Sequence, residues 1–259
     1  MGGCVRVESN QGVATVTIDN PPLNVLSARV VKELKESFSQ LRDDQQVMVI
    51  VLTGAGEKAF MAGADIKEFP EWLGNMDMKE IVRKNHELFA QIERCPKPVI
   101  AMLNGMALGG GCELALACDL RIAEEHVRIG FPEIKLGIFP GGGGTQRLPR
   151  LIGASKALEL MFLGEPITAE EALKIGLVNK VAPKGQGMEF TLQLARKIAS
   201  YSLKALSAIK EAVRYGGDHP FEMGISHELE LFYQIFQTED AKEGIHAFIE
   251  KRTPTFQHK

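Results

Sequence analysis

Short β-branched runs at positions 5–7 and 13–18 flank Asn10-Gln11-Gly12, a pattern that predicts a hairpin. Asn20-Pro21-Pro22 ends the second strand. Ser27 can cap a helix from 28 to about 41, with Val30, Val31, Leu34, Phe38 and Leu41 on one face. The unbroken apolar run at 47–52 stops at Thr53-Gly54-Ala55-Gly56, as a strand buried on both faces does. A loop containing Ala62-Gly63-Ala64-Asp65 follows, then a helix through roughly 79–93.

The next buried strand is predicted at 98–103, followed by a glycine run and a short helix over 113–117. Positions 119–123 and 127–130 read as two more short strands. Strand, strand, helix in repetition predicts a layered, spiral α/β arrangement rather than a flat doubly wound sheet. Beyond Pro140 the pattern turns helical, with helices predicted at 145–151, 155–163, 168–175, 189–200, 203–215, 220–236 and 240–251. Leu229, Phe232, Tyr233 and Phe236 form an aromatic-rich stripe that either joins the chain's own core or buries against another subunit. The sequence carries no internal repeat.

A chain of 259 residues can build one large α/β domain or a core with a smaller appendage. Hydrophobic content of 45% with 24% charged residues is that of a soluble globular protein, and a net charge of −3 supplies no general pull toward nucleic acid. Cys4, Cys95, Cys112 and Cys118 have no Cys-x-x-Cys spacing and read as reduced thiols of a cytoplasmic protein. The N-terminal residues lack an apolar signal core, and Arg6 stands where a myristoylation signal wants Ser or Thr. The apolar stretch at 98–117 is broken by Asn104, glycines and Glu113, a poor membrane span.

Candidate chemistry concentrates at Gly109-Gly110-Gly111-Cys112-Glu113 and at Glu133. The glycines offer backbone N–H groups at a helix start, where negative charge is favoured. With two carboxylates, they supply an oxyanion site and two acid/base groups, the needs of enolate chemistry. Competing signatures fail. Leu114 occupies the last glycine of a dinucleotide fingerprint, Gly105 to Gly110 lacks a P-loop lysine, and Ala157 replaces the second glycine of a nucleophile elbow. His86-Glu87 and His227-Glu228 lack a second histidine at zinc-protease spacing, and no metal site is expected.

Several ordered segments together carry a resemblance: Phe60-Met61-Ala62-Gly63-Ala64-Asp65-Ile66-Lys67-Glu68, Pro98-Val99-Ile100-Ala101, and Asn104-Gly105-Met106-Ala107-Leu108-Gly109-Gly110-Gly111-Cys112-Glu113-Leu114. They are followed by Pro132-Glu133-Ile134-Lys135-Leu136-Gly137 and Pro140-Gly141-Gly142-Gly143-Gly144-Thr145-Gln146-Arg147-Leu148. The set resembles the enoyl-CoA hydratase (crotonase) family along essentially the whole chain. The resemblance implies an α/β spiral of ββα units over 1–190, containing the active site, and a C-terminal helical region over 191–259 that assembles trimers or dimers of trimers. It implies backbone oxyanion donors at Ala64 and Gly110, catalytic glutamates at Glu113 and Glu133, and substrate contacts at Ala62, Ala64, Asp65, Ile66, Lys67 and Gly110. Phe248 and Lys251 resemble positions that reach the CoA, across a subunit boundary.

The implied reaction adds water to a 2-trans-enoyl-CoA, with no metal and no separate cofactor, coenzyme A being part of the substrate. The alternatives are an enoyl-CoA isomerase, another acyl-CoA lyase or hydrolase on the same fold, or a non-catalytic RNA-binding homologue. The retained glutamate pair and the acidic charge favour a small acyl-CoA partner, with neither nucleic acid nor membrane. Asp65 is expected to shape its loop by local hydrogen bonding, Gln146 and Arg147 to hold the glycine loop, and the segment 69–78, with Trp72, to meet the acyl tail. Three departures from the family pattern stand out: a short Asn20-Pro21-Pro22-Leu23-Asn24-Val25 segment without a basic residue, Met61 and Met106 near the acyl pocket, and Gly142 where alanine is frequent.

Overall fold

The computed structural model describes residues 3–75 and 78–258. The hairpin forms as predicted: β1 (Val5–Asn10) and β2 (Val13–Ile18) pair antiparallel across Gln11 and Gly12, both at positive φ. Four parallel strands extend this sheet: β3 (Val49–Gly54), β5 (Val99–Leu103), β7 (Leu120–Glu124) and β10 (Lys180–Ala182). A smaller sheet contains β4 (Ala59–Ala62), β6 (Met106–Leu108), β8 (Arg128–Gly130) and β9 (Ile167–Thr168). Each turn of the chain deposits one strand in each sheet, β3 then β4, β5 then β6, β7 then β8. That is the expected spiral. The short strands β4 and β6 fall where the pattern predicts only loop and glycine run, because three or four residues are too few to show a period.

Both faces of the larger sheet are covered, which explains its unbroken apolar strands. Val16, Ile50, Leu52, Ala101 and Leu103 face α1 (Ala28–Asp43) and α3 (Met78–Glu93) through Leu34, Phe38, Leu88 and Ile92. Val49, Val51, Ile100 and Ile122 face α8 (Gly187–Ala199). The division expected between residues 190 and 191 falls inside α8, a helix packed on the sheet. Ser27 caps α1 as predicted, its Oγ accepting from Val30 N at 3.4 Å.

Short α2 (Phe69–Trp72) and α4 (Gly110–Leu116) belong to the spiral, and a 3-10 helix (Pro132–Leu136) follows β8. Then come α5 (Gly144–Ile152), α6 (Ala154–Leu163) and α7 (Ala169–Lys174), the last opened by a capping box between Thr168 and Glu171. The C-terminal helices are α9 (Leu203–Asp218), α10 (Phe221–Phe236) and α11 (Glu239–Glu250). On α10, Leu229, Phe232, Tyr233 and Phe236 are 71%, 63%, 62% and 51% exposed. The stripe is therefore no part of this chain's own core. Among the described residues no helix is long and apolar enough to cross a membrane.

Candidate active site

The site is built where β4 and β6 end. Gly109, at φ 51° and ψ −123°, turns the chain out of β6 into α4, a conformation that favours glycine. A Cβ on Gly111 would stand 1.9 Å from the Met61 carbonyl oxygen, so α4 lies flush against β4 with no room for a side chain between them. This contact sets the start of α4 beside the residues that leave β4. A Cβ on Gly110 would be 3.6 Å from the Ala64 nitrogen, in ordinary van der Waals contact.

The Ala64 loop is held from behind by the segment that follows the two prolines. Ala62 N donates to Leu23 O (3.1 Å), Leu26 N to Gly63 O (2.9 Å) and Asp65 N to Leu26 O (3.3 Å). Asn24 Nδ2 donates to Ala55 O and Ala59 O, pinning the strap to β4. Among the described residues the amides of Ala64 and Gly110 donate to no other group. Two fixed, adjacent donors at a helix N-terminus form a seat for an oxyanion. At the other end of α4, the buried Arg121 guanidinium donates to Ala115 O and Cys118 O, and its Nε to Leu177 O.

Glu113 lies one turn into α4, 3% exposed. Its Oε1 accepts from Gly142 N at 2.7 Å and Gly144 N at 2.8 Å. Its Oε2 is the atom a Cβ on Gly142 would meet, at 2.5 Å. Phe89 and Phe131 wall the same space, standing 2.8 and 2.9 Å from a Cβ on Gly142 and Gly144 respectively. Burial pushes the Glu113 carboxyl up, opposed by the two amides and by the charge of Arg147.

Glu133, on the 3-10 helix, is half-buried, and its Oε2 is enclosed without a hydrogen-bond partner among the described residues. Its Oε1 faces Gly109, where a Cβ would approach within 2.7 Å. Desolvation, opposed by the hydrogen bond from its own backbone amide and reinforced by the negative charge of Glu113, pushes Glu133 up to about 7. The two carboxyls are thus unlike. One has an oxygen fixed by the amides of Gly142 and Gly144; the other, with Oε2 unpartnered among the described residues, is readily protonated near neutrality. A bound water between them could lose a proton to one while the other donates.

Of the residues the resemblance singles out, Ala62, Ala64, Gly110, Glu113 and Glu133 lie around the start of α4. Asp65 Oδ1 accepts from Lys67 N at 3.1 Å, shaping the loop, while Ile66 and Lys67 are exposed at its rim. Trp72 packs on Phe69 in a tilted pair, centroids 4.8 Å apart; of the predicted acyl-tail segment, Met76 and Asp77 lie outside the described residues. Phe248 and Lys251 lie on α11 and at its C-terminus, Phe248 86% exposed; this helix packs on α10 and, through Asp240, on Ser202. Arg147 holds the glycine loop, its Nη1 donating to Gly142 O at 3.2 Å. Gln146 does not: its exposed side chain donates to Thr145 Oγ1. Sequence reasoning missed Phe89, Phe131 and the roles of the Gly142 and Gly144 amides, which lie 29 and 31 residues from Glu113. The only local signal for the amides was the glycine run itself.

The family described as enoyl-CoA hydratase/isomerase matches residues 8–259. A Bacillus subtilis protein named "Probable enoyl-CoA hydratase" is 45% identical over 97% of this chain and 98% of its own length. A short-chain-enoyl-CoA hydratase of Clostridium acetobutylicum is 43% identical over 96% of this chain and 95% of its own. The crystal structure of enoyl-CoA hydratase from Bacillus anthracis superposes with a TM-score of 0.95 at 40% identity, covering 99% of this chain and 100% of that one.

Proposed function

The chain belongs to the enoyl-CoA hydratase/isomerase family, and on that premise we propose that it adds water across a 2-trans-enoyl-CoA to give a 3-hydroxyacyl-CoA. The thioester oxygen sits between the amides of Ala64 and Gly110. Glu113 Oε2 takes a proton from water as its oxygen bonds to C3. The π pair moves toward the thioester, and the enolate so formed is quenched at C2 by the proton of Glu133. The net result is one O–H bond broken, C–O and C–H bonds formed, and a proton moved from Glu133 to Glu113; solvent resets the pair. Each oxyanion donor is worth about 3 kcal/mol to such a transition state.

The observation that carries this reading is the pairing of an elevated carboxyl that has one enclosed, unpartnered oxygen with an amide-anchored one, beside two uncommitted backbone donors. Lys67, at the loop rim, and Lys251, from a neighbouring copy, are proposed to meet the phosphates of CoA. The exposed face of α9 and α10 is proposed to be covered by further copies of the chain in a trimer or dimer of trimers. The deciding experiment follows the enoyl absorbance of crotonyl-CoA. Wild type is expected to consume it, and Glu133→Gln to lose about 10²- to 10⁴-fold in kcat while keeping its fold. Unchanged turnover in that variant would remove Glu133 from the mechanism.

A further inference from the structure

Behind the glycine loop lies a group of charges that the proposed reaction does not touch. Arg147, in the first turn of α5, folds back over Gly143, where a Cβ would lie 2.2 Å from its Nη1. Gly143 has a φ of 101°, so both its backbone and the space above it exclude a side chain. From there Nη1 donates to Gly142 O, and Nη2 reaches Glu93 Oε2 at 2.9 Å, at the C-terminal end of α3. The same Glu93 oxygen lies 3.7 Å from Arg214 Nη2 on α9. These side chains are 18%, 32% and 30% exposed, dry enough for the charges to matter.

We propose that Arg147, clamped by Glu93, is a positioning residue for Glu113, fixing the loop whose amides orient that carboxylate. The proposal rests on the hydratase reading for its kinetic expression, though not for its geometry. Gly142 is shared between the two bonds: its carbonyl is taken by Arg147, its amide by Glu113. Withdrawing the guanidinium frees the peptide that aims the base. It also removes a positive charge that opposes the effect of burial on Glu113. The pair ties α3 to α5, and Arg214 extends the tie to α9, linking the C-terminal helices to the orientation of the base.

Other charged or titratable groups around Glu113 are Glu133 on the 3-10 helix, Cys112 on α4 and His86 on α3, whose Cε1 is 3.8 Å from a Cβ on Gly143. None of these supplies a second positive clamp on Gly142 O.

The test compares Arg147→Gln, Arg147→Lys and Glu93→Gln with wild type in crotonyl-CoA hydration across pH. Arg147→Gln is expected to lower kcat about 10- to 100-fold with KM changed less than about threefold, as a misaimed catalytic group does. Its acid limb, the ionisation of the base, should move to higher pH because the cation favouring the carboxylate is gone. Arg147→Lys should restore the limb and only part of kcat, keeping charge without the fork. Glu93→Gln should lower kcat about 3- to 10-fold with an unmoved limb, and it decides the matter should Arg147→Gln fail to fold. Wild-type kcat and limb in Arg147→Gln, or wild-type kcat in Glu93→Gln, would overturn the proposal. A ¹³C-carboxyl NMR titration of Glu113, assigned with Glu113→Gln, separates this failure from that of the hydratase reading. If no enoyl-CoA is turned over, the Glu113 signal should still titrate at higher pH in Arg147→Gln, and an identical titration overturns the proposal.

Discussion

Replacing Gly109 by alanine strikes two features of the site at one atom. At φ 51° and ψ −123°, a side chain strains the backbone by about 1–3 kcal/mol. The strain alone should lower the melting temperature by about 2–10 °C for a chain of this size. The new Cβ would also meet Glu133 Oε1 at 2.7 Å, against the 3.4 Å at which ordinary contact begins. The carboxyl must therefore retreat by about 0.7 Å, the difference between these distances. A displacement near 1 Å costs about 10²-fold in rate, so kcat for crotonyl-CoA should fall about 10- to 100-fold with KM little changed. A double-mutant cycle with Glu133→Gln supplies the check: if Gly109→Ala acts by moving Glu133, the double variant should be scarcely slower than Glu133→Gln alone. Full additivity of the two losses in log kcat would refute this account and assign the effect to α4.

Three further outcomes follow from the protonation of Glu133 and the exposed face of α10. Because Glu133 is pushed up to about 7 and must act as an acid, hydration should decline as pH rises through neutrality, and Glu133→Gln should lack that limb. Its folded pKa lies above its ordinary 4.5, so folding favours the protonated form; wild type should lose stability as pH rises from about 4.5 to 7, and thermal melts of Glu133→Gln should show a smaller loss. Phe232→Asp, on the exposed face of α10, should reduce the mass measured by light scattering toward that of one chain; an unchanged mass would place any interface elsewhere.

The parts of the site that were legible in the sequence are those encoded locally. Three glycines before a carboxylate describe a helix entry, and α4 begins among them, at Gly110, three residues earlier than the predicted 113. The hairpin at Gln11 and Gly12, the Ser27 cap and the buried strands were likewise written in short-range pattern. Glu133 was different. Alone it looks like a turn residue, and only its neighbours in the ordered motif set singled it out. Long-range pairings left no trace of their own: Glu93 and Arg147 are 54 residues apart, and nothing in either segment announces the other. Strands β4 and β6 were lost because each is shorter than the pattern needed to see it. The stripe on α10 could be read from periodicity, but not the direction it faces, which depends on what packs against it.

Arg121 gives α4 a permanent cation at its tail, sealed from solvent. A helix of two turns would ordinarily leave its negative pole to be answered by mobile water and salt. Here the answer is built in, so the electrostatic pull felt at the head is insulated from ionic strength. The same residue moors the short cylinder, leaving it no freedom to slide away as charge arrives at its opposite end.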